Sequence, residues 1–350
     1  MREKKRVLVV VGFSHSIDAD PNRIEMFVPH YRTFLSLAYG LEQARSNVDV
    51  RILTRRWIKD QYDITEDMEK NIILRENVDD FCQILSDFDP LYVMFWNGAD
   101  QQDMVFICRD QGRIPIFCEL GWLPQSGNTV FDFFGVNAGS GLAAIGPLKR
   151  SCGDRVLDWR ENYLASRKYD APEEELSDLQ ENFIFIPLQM ESDTNIIYHS
   201  SFKKMRDFVI RISQSLPNKI LLIRPHPNQM DVELGDLPDN CIVTNAGSLY
   251  YWLRKSEAVI GINSTVLIEA CAMYKPVCGF GDGIGRRKGI FITEGDDVPS
   301  DLSAIIQNTE INVEAINGFL EELVFRRQIN YMDFSNVDRL KENHVLSHIA

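Results

Sequence analysis

Several absences narrow this sequence before any motif is read. No run approaches the roughly 20 consecutive apolar residues that a bilayer-spanning helix requires, so no stretch reads as a transmembrane segment. Positive charge is scarce: 37 Lys and Arg stand against 51 Asp and Glu, a net charge of -14. That balance excludes nucleic acid as the main partner, because a phosphate backbone demands a basic face. It leaves room for an anionic small ligand, since a site can be locally basic inside an acidic protein. There is no CxxC spacing, and with it goes any zinc-ribbon reading; the seven cysteines are scattered and odd in number. Most of them lie in apolar runs such as Ile116-Phe117-Cys118, which fits reduced, buried thiols in a cytoplasmic protein. GxGxxG is missing, as are internal repeats and low-complexity tracts. The start, MREKKRVLVVVGF, is basic and then apolar but offers no small-x-small cleavage site, so it reads as a first buried strand.

What is present is an ordinary globular composition, 45% apolar and 25% charged. A chain of 350 residues exceeds one typical core and suits two domains. Apolar runs at 7–11, 92–95, 114–118, 183–188, 220–223 and 258–262, with the less continuous 48–53 and 275–280, read as strands, mostly of parallel sheets. Helical periodicity at 32–45, 78–88, 101–109, 158–169, 202–216 and 266–274 alternates with them, which makes the fold class α/β. The charged and aromatic stretch 54–76 reads as a surface helix, and 126–147, rich in Gly, Asn and Phe, as a loop over a cleft. Asp170-Ala171-Pro172 and the acidic run to Glu181 form the best linker. The expected domains are 1–172 and 173–330, with a tail at 331–350 that packs back on the N-terminal domain.

Polar residues recur just after the strands. In KILLIRPHPN (219–228) the apolar run ends in Arg224 and His226, and Pro227 forces the chain to turn. Ligands bind at that edge of open α/β sheets. Glu119 follows its strand in CELGWLPQSG; among Phe117, Leu120 and Trp122 a partly desolvated carboxylate has a raised pKa suited to proton transfer, and a plain loop carboxylate is the alternative. Glu191 and Asp193 follow the 183–188 strand. Asp193 is either a helix cap or, with Glu119, one of the carboxylates that sugar chemistry needs. Asn263-Ser264-Thr265 opens a helix whose free N–H groups make an anion site; simple N-capping is the competing reading. Glu269, one turn further in, can reach a ribose hydroxyl. His15, Gln189, Ser192 and Ser248 are candidates for lining the cleft. Arg286, Arg287 and Lys288 lie near the same edge, where solvated charge is the commoner role. No metal site is read.

Four motifs in order, ELGWLP (119–124), PLQMESDTN (187–195), RPHP (224–227) and INST (262–265), resemble those of the bacterial capsule and lipopolysaccharide β-Kdo transferase family. The resemblance spans 114–289; the first hundred residues match only in fold. It implies a GT-B-like α/β fold of two Rossmann-like domains with a cleft between them, an N-terminal acceptor-side domain and a C-terminal CMP-sugar domain. It also implies a retaining glycosyltransferase that moves Kdo from CMP-β-Kdo to a glycan acceptor. Asp193 would be the nucleophile, Glu119 the acid/base, and a cationic His226 the support for the departing CMP phosphate. Ser264 and Thr265 would hold the donor phosphate and Glu269 the ribose, with Pro227 and Asn263 also in the donor-binding set. Arg224 is assigned to the Kdo carboxylate on the fit of an Arg fork. No cofactor is required beyond the donor substrate. A lipid-linked acceptor implies peripheral docking at the inner face of the inner membrane, or work within a larger polysaccharide synthase. Two other transferases compete, an inverting sialyltransferase-like CMP-sugar enzyme and a CDP-glycerol enzyme; a non-catalytic nucleotide-sugar-binding subunit competes from outside the enzymes.

Overall fold

The computed structural model describes residues 4–13, 24–44, 47–60, 69, 71–77, 79–148, 153–172, 179 and 182–349. Their strands form two sheets. The chain divides into two compact units, Met1–Gly141 with Glu322–Ala350, and Leu142–Glu321.

In the first unit, β1 (Lys5–Val10), β2 (Val48–Thr54), β3 (Ile72–Leu74), β4 (Tyr92–Trp96) and β5 (Ile114–Leu120) are parallel. β6 (Asn128–Asp132) runs antiparallel to β5, and β13 (Gln328–Asn330) antiparallel to β6. The sheet order is β13-β6-β5-β4-β1-β2-β3. The unbroken apolar run of β1 follows from burial on both faces. Val7 and Val9 join one core with Leu37 and Leu41 of α1 (Ile24–Ala44). Leu8 and Val10 join another with Leu85 of α2 (Phe81–Phe88) and Met104 of α3 (Gln102–Asp110).

Two stretches of this unit differ from their sequence reading. Within 54–76, Arg56–Lys59 forms one helical turn, Glu69 is helical, and Ile72–Leu74 extends the sheet edge beside β2; 61–68 and 70 lie outside the described residues. Three apolar residues suffice for an edge strand, and the surrounding charge masks them. The expected loop at 126–147 holds β6, all of it buried, followed by the short turns Asn137–Gly139 and Gly141–Ala144. Pairing with β5 and β13 satisfies its backbone, so the Gly- and Asn-rich context is confined to its flanks.

The second unit contains β7 (Phe183–Pro187), β8 (Ile220–Arg224), β9 (Cys241–Val243), β10 (Ala258–Ile262), β11 (Val277–Phe280) and β12 (Thr293–Gly295), all parallel. The order β9-β8-β7-β10-β11-β12 is the 3-2-1-4-5-6 sequence of a doubly wound nucleotide-binding sheet. Its direction of winding reverses between β7 and β10, and a crevice opens at the C-terminal ends of the strands flanking such a reversal. The helices are α4 (Asp154–Ala165), α5 (Thr194–His199), α6 (Met205–Ser215), α7 (Leu249–Lys255), α8 (Thr265–Ala272), α9 (Leu302–Asn308) and α10 (Val313–Glu321). Ile184, Ile186, Leu221, Ile223, Ile260 and Ile262 pack on Phe208 and Ile212 of α6. Each such buried side chain contributes about 1.5–3 kcal/mol, so the strand ends that carry polar residues are rigidly based.

The division differs from the expected boundary at 172. Residues 142–172 belong to the second unit because α4 packs there: Arg155 pairs with Glu321 at 2.5 Å and the Arg160 guanidinium lies 3.6 Å from the Tyr274 ring centroid. Residues 322–330 belong to the first unit, since β13 completes its sheet. Of the proposed linker, 173–178, 180 and 181 lie outside the described residues.

Candidate active site

The loop after β7 carries Gln189, Glu191, Ser192 and Asp193, and the structure separates their roles. Glu191 is committed to the scaffold: Oε1 accepts from the N–H of Met205 at the start of α6 (2.9 Å) and Oε2 from Lys204 Nζ (2.7 Å). Asp193 is the N-cap of α5, accepting from the Asn195 N–H at 2.7 Å. Gln189 is half-buried and Ser192 exposed.

His226 stands on the turn after β8, the neighbour of β7. Its Nδ1 accepts from the Asn228 N–H at 3.1 Å, which leaves Nε2 as the donor of the neutral ring. Burial pushes the imidazole below its usual range, and the Asp193 charge opposes that shift. The two side chains are therefore electrostatically coupled across adjacent strand ends. That burial disfavours the cationic form expected of His226, and with Nδ1 accepting, the neutral ring carries its proton on Nε2. Gln229, absent from the sequence reading, ties the two loops, its Oε1 accepting the Glu191 N–H at 2.9 Å.

Arg224 is turned partly to the scaffold. Nη1 donates to the Gly247 carbonyl at 2.9 Å, and burial pushes its pKa down. Pro227 is exposed beside it. Ser248 caps α7, accepting from the Tyr251 N–H (3.2 Å) and donating to the Lys168 carbonyl (2.8 Å). Its hydroxyl thus joins α7 to the end of the segment that follows α4.

After β10, Asn263 adopts the left-handed conformation (φ 47) that Asn tolerates. Its Nδ2 donates to the His199 carbonyl at 3.1 Å and the Asn195 carbonyl at 3.3 Å. Asn263 thus anchors α5, the helix that Asp193 begins, through its Nδ2. Gly281 (φ +72) packs against this junction; a Cβ there would lie 2.7 Å from the His199 carbonyl oxygen. Ser264 caps α8, accepting from the Val266 N–H at 3.2 Å, with Thr265 the first helical residue. The first-turn N–H groups of α8 open at the crevice between β10 and β7.

One turn on, Glu269 accepts at Oε1 from Tyr250 (2.6 Å) and Tyr163 (3.0 Å). Burial pushes its carboxyl up, opposed by the two hydroxyls and by the Arg167 charge. The basic triplet is engaged too. Arg286 pairs with Asp282 (2.6 Å) and Asp296 (2.8 Å), and Lys288 is buried with Nζ donating to the Ala143 and Ile145 carbonyls.

Glu119 belongs to the first unit, on β5. Asn97, at the end of β4, donates to its Oε2 at 2.8 Å, and the Leu120 N–H to its Oε1 at 2.9 Å. Asn97 was not singled out from sequence; its place after the 92–96 strand is the one signal it gives. His15 lies outside the described residues. No cluster of three His, Cys, Asp or Glu able to hold a metal occurs among the described residues, and no helix among them is long and apolar enough to cross a membrane.

Residues 154–332, from the first residue of α4 to just past β13, match the family model for capsule polysaccharide biosynthesis proteins. The chain belongs to that family. Asp193, His226, Ser264 and Glu269 fall inside the capsule-synthesis match and Glu119 outside it. Protein FixF of Sinorhizobium fredii (strain NBRC 101917 / NGR234) is 26% identical over 251 residues, which cover 69% of this chain and 58% of that protein. The chain thus spans little more than half the length of this curated relative. Two Thermosulfurimonas dismutans KpsC structures share the fold. The beta Kdo 2,7 transferase matches at a TM-score of 0.53 and 16% identity, over 94% of this chain and 92% of that one. The beta Kdo 2,4 transferase matches at 0.53 and 12%, over 80% and 90%. Membership of a capsule-synthesis family and the GT-B-like α/β architecture, both implied by the four motifs, are borne out.

Proposed function

We propose that this capsule polysaccharide biosynthesis protein is a retaining β-Kdo glycosyltransferase that uses CMP-β-Kdo. The observation that carries this reading is the coupling of Asp193 and His226 at the ends of β7 and β8, beside the winding reversal of the nucleotide-type sheet. Family membership and the fold shared with the KpsC transferases support it.

In the first step, an Asp193 carboxylate oxygen attacks the anomeric carbon of Kdo. The bond from that carbon to the phosphate oxygen breaks, and CMP leaves with the electron pair. A carboxylate nucleophile divides a difficult oxocarbenium-like substitution into two easier ones. The Nε2–H of His226 and the first-turn N–H groups of α8, at Ser264 and Thr265, stabilise the charge gathering on the phosphate. Glu269 takes a ribose hydroxyl, and the remaining N–H donors of Arg224 take the Kdo carboxylate. In the second step Glu119 accepts the proton of the acceptor hydroxyl, whose oxygen displaces Asp193. Two inversions leave the β configuration intact. The acceptor is a glycan of surface polysaccharide synthesis, and no cofactor enters either step.

The test is incubation with CMP-β-Kdo followed by intact-mass measurement. A gain of one Kdo in the wild type, absent in Asp193→Ala, supports the mechanism. No adduct and no CMP release by the wild type across a panel of acceptors overturns it.

A further inference from the structure

Three segments far apart in sequence meet at one carboxylate oxygen of Glu269. Tyr163 comes from α4, Tyr250 from α7 and Glu269 from α8. The two hydroxyls lie 2.9 Å apart and both reach Oε1, at 3.0 and 2.6 Å. One of the two tyrosines can donate to the other only by giving up a bond to Glu269, so the hydroxyl pair and the carboxylate form a closed triangle. Both bonds fall on Oε1, which leaves Oε2 for a further donor.

The rings are held as firmly as the hydroxyls. Tyr163 stacks on Trp159 with centroids 5.0 Å apart at 18°. The Arg167 guanidinium lies 4.4 Å from the Tyr163 ring and 5.6 Å from the Tyr250 ring, while its Nε donates to the Tyr163 carbonyl at 3.2 Å. Tyr169 meets Tyr250 edge-on at 6.1 Å. Burial and the Glu269 charge push both phenols up, Tyr250 to about 12, so they remain donors at neutral pH.

An isolated Glu on a helix rotates about three side-chain bonds and loses that freedom on binding a ligand. Here the freedom is already lost in the folded protein, and the plane of the carboxylate is fixed. Two donors on one oxygen occupy both of its lone pairs and offset the desolvation of the buried carboxylate. They also fix the direction in which the other oxygen points.

We propose that Tyr163 and Tyr250 are positioning residues that aim Oε2 of Glu269 at a ribose hydroxyl of the donor nucleotide, and so set the preference for a ribonucleotide over a deoxyribonucleotide. The proposal deepens the donor-binding role given above to Glu269 and rests on it. It assigns the pair a part in substrate selection distinct from any part in bond making.

Calorimetric titration of the full chain with CMP, 2′-deoxy-CMP and 3′-deoxy-CMP tests it, with wild type, Tyr250→Phe, and the Tyr163→Phe, Tyr250→Phe double variant. Phe keeps the ring packing and removes only the hydroxyls. Wild type should bind CMP about tenfold or more tightly than one of the deoxy forms, the size of one hydrogen bond to a charged group. In the double variant that ratio should fall toward one, through weaker CMP binding with deoxy binding nearly unchanged. Loss of packing alone would weaken all three ligands together. A wild-type ratio retained in both variants overturns the positioning role and leaves the transferase reading intact. Should the double variant not fold, Tyr250→Phe carries the same comparison, with a smaller fall expected and an unchanged ratio again fatal. Wild type that binds none of the three removes the donor-site reading and this inference with it.

Discussion

Asn97 and Glu119 form a side-chain hydrogen bond of 2.8 Å between the ends of two adjacent parallel strands, β4 and β5. Asn97 reaches it from the left-handed region (φ 58), and its own N–H is taken by the Cys118 carbonyl at 2.7 Å. With the Leu120 N–H on the other oxygen, each half of the carboxylate has a donor. The two donors come from different chain positions and fix the direction of both carboxylate oxygens.

Asn97→Asp keeps a residue that tolerates the left-handed conformation but replaces the donor with a second negative charge. It should lower kcat/KM by about tenfold or more, because the hydrogen bond that orients Glu119 is lost and a second negative charge stands beside it. An unchanged kcat/KM would separate Asn97 from the chemistry.

The observed cap and the proposed nucleophile at Asp193 can be parted by substitution. Asn caps a helix as well as Asp, whereas Ala loses about 1 kcal/mol. Asp193→Asn should therefore unfold in urea at the wild-type midpoint while losing Kdo transfer, and Asp193→Ala should lose both. Normal transfer by Asp193→Asn would exclude a nucleophilic role.

The coupling of His226 to Asp193 has a sign that can be read directly. Burial lowers the imidazole pKa and the Asp193 charge raises it. Removing that charge in Asp193→Asn should lower the His226 pKa further, as seen by NMR titration of the ring protons. A rise, or no change, would contradict the coupling.

Asp132 predicts the acid behaviour of the first unit. Its burial alone would raise the carboxyl, but the His344 side chain and the N–H groups of Gly141 and Phe134 outweigh that and hold it below the usual range. A depressed folded pKa gives stability that is present above the unfolded value of about 3.9 and lost as pH falls through the folded one. Asp132→Asn should be less stable at neutral pH, yet its denaturation midpoint should fall less than that of wild type between about pH 6 and pH 3. Parallel pH profiles for the two proteins would refute this.

The sequence was most readable where a strand is buried on both faces. The runs of β1, β7, β8 and β10 are continuous and apolar because each lies between layers. β3 and β6 escaped notice: one is three residues inside a charged stretch, the other five residues among glycines and asparagines. Asp193 and Ser264 were legible by type, since both sit where caps are expected and both cap. Glu269 was visible as a carboxylate one turn into a helix, but its partner Tyr163 lies 106 residues earlier, and no local pattern joins them. Lys288 looked like part of a solvated basic triplet. Carbonyls some 145 residues away turn it into a buried donor, a long-range pairing that composition cannot report.

The order of the strands in the first sheet bears on how the protein is made. β13 pairs with β6, yet the ribosome synthesises the whole second unit between them. The second unit is continuous and can fold as it emerges. Until Gln328–Asn330 arrives, β6 presents an open edge, and Phe131 lacks its edge-on neighbour Phe334 at 6.3 Å. A nascent chain paused after the second unit therefore carries an unpaired strand, the kind of surface that recruits chaperones or neighbouring chains.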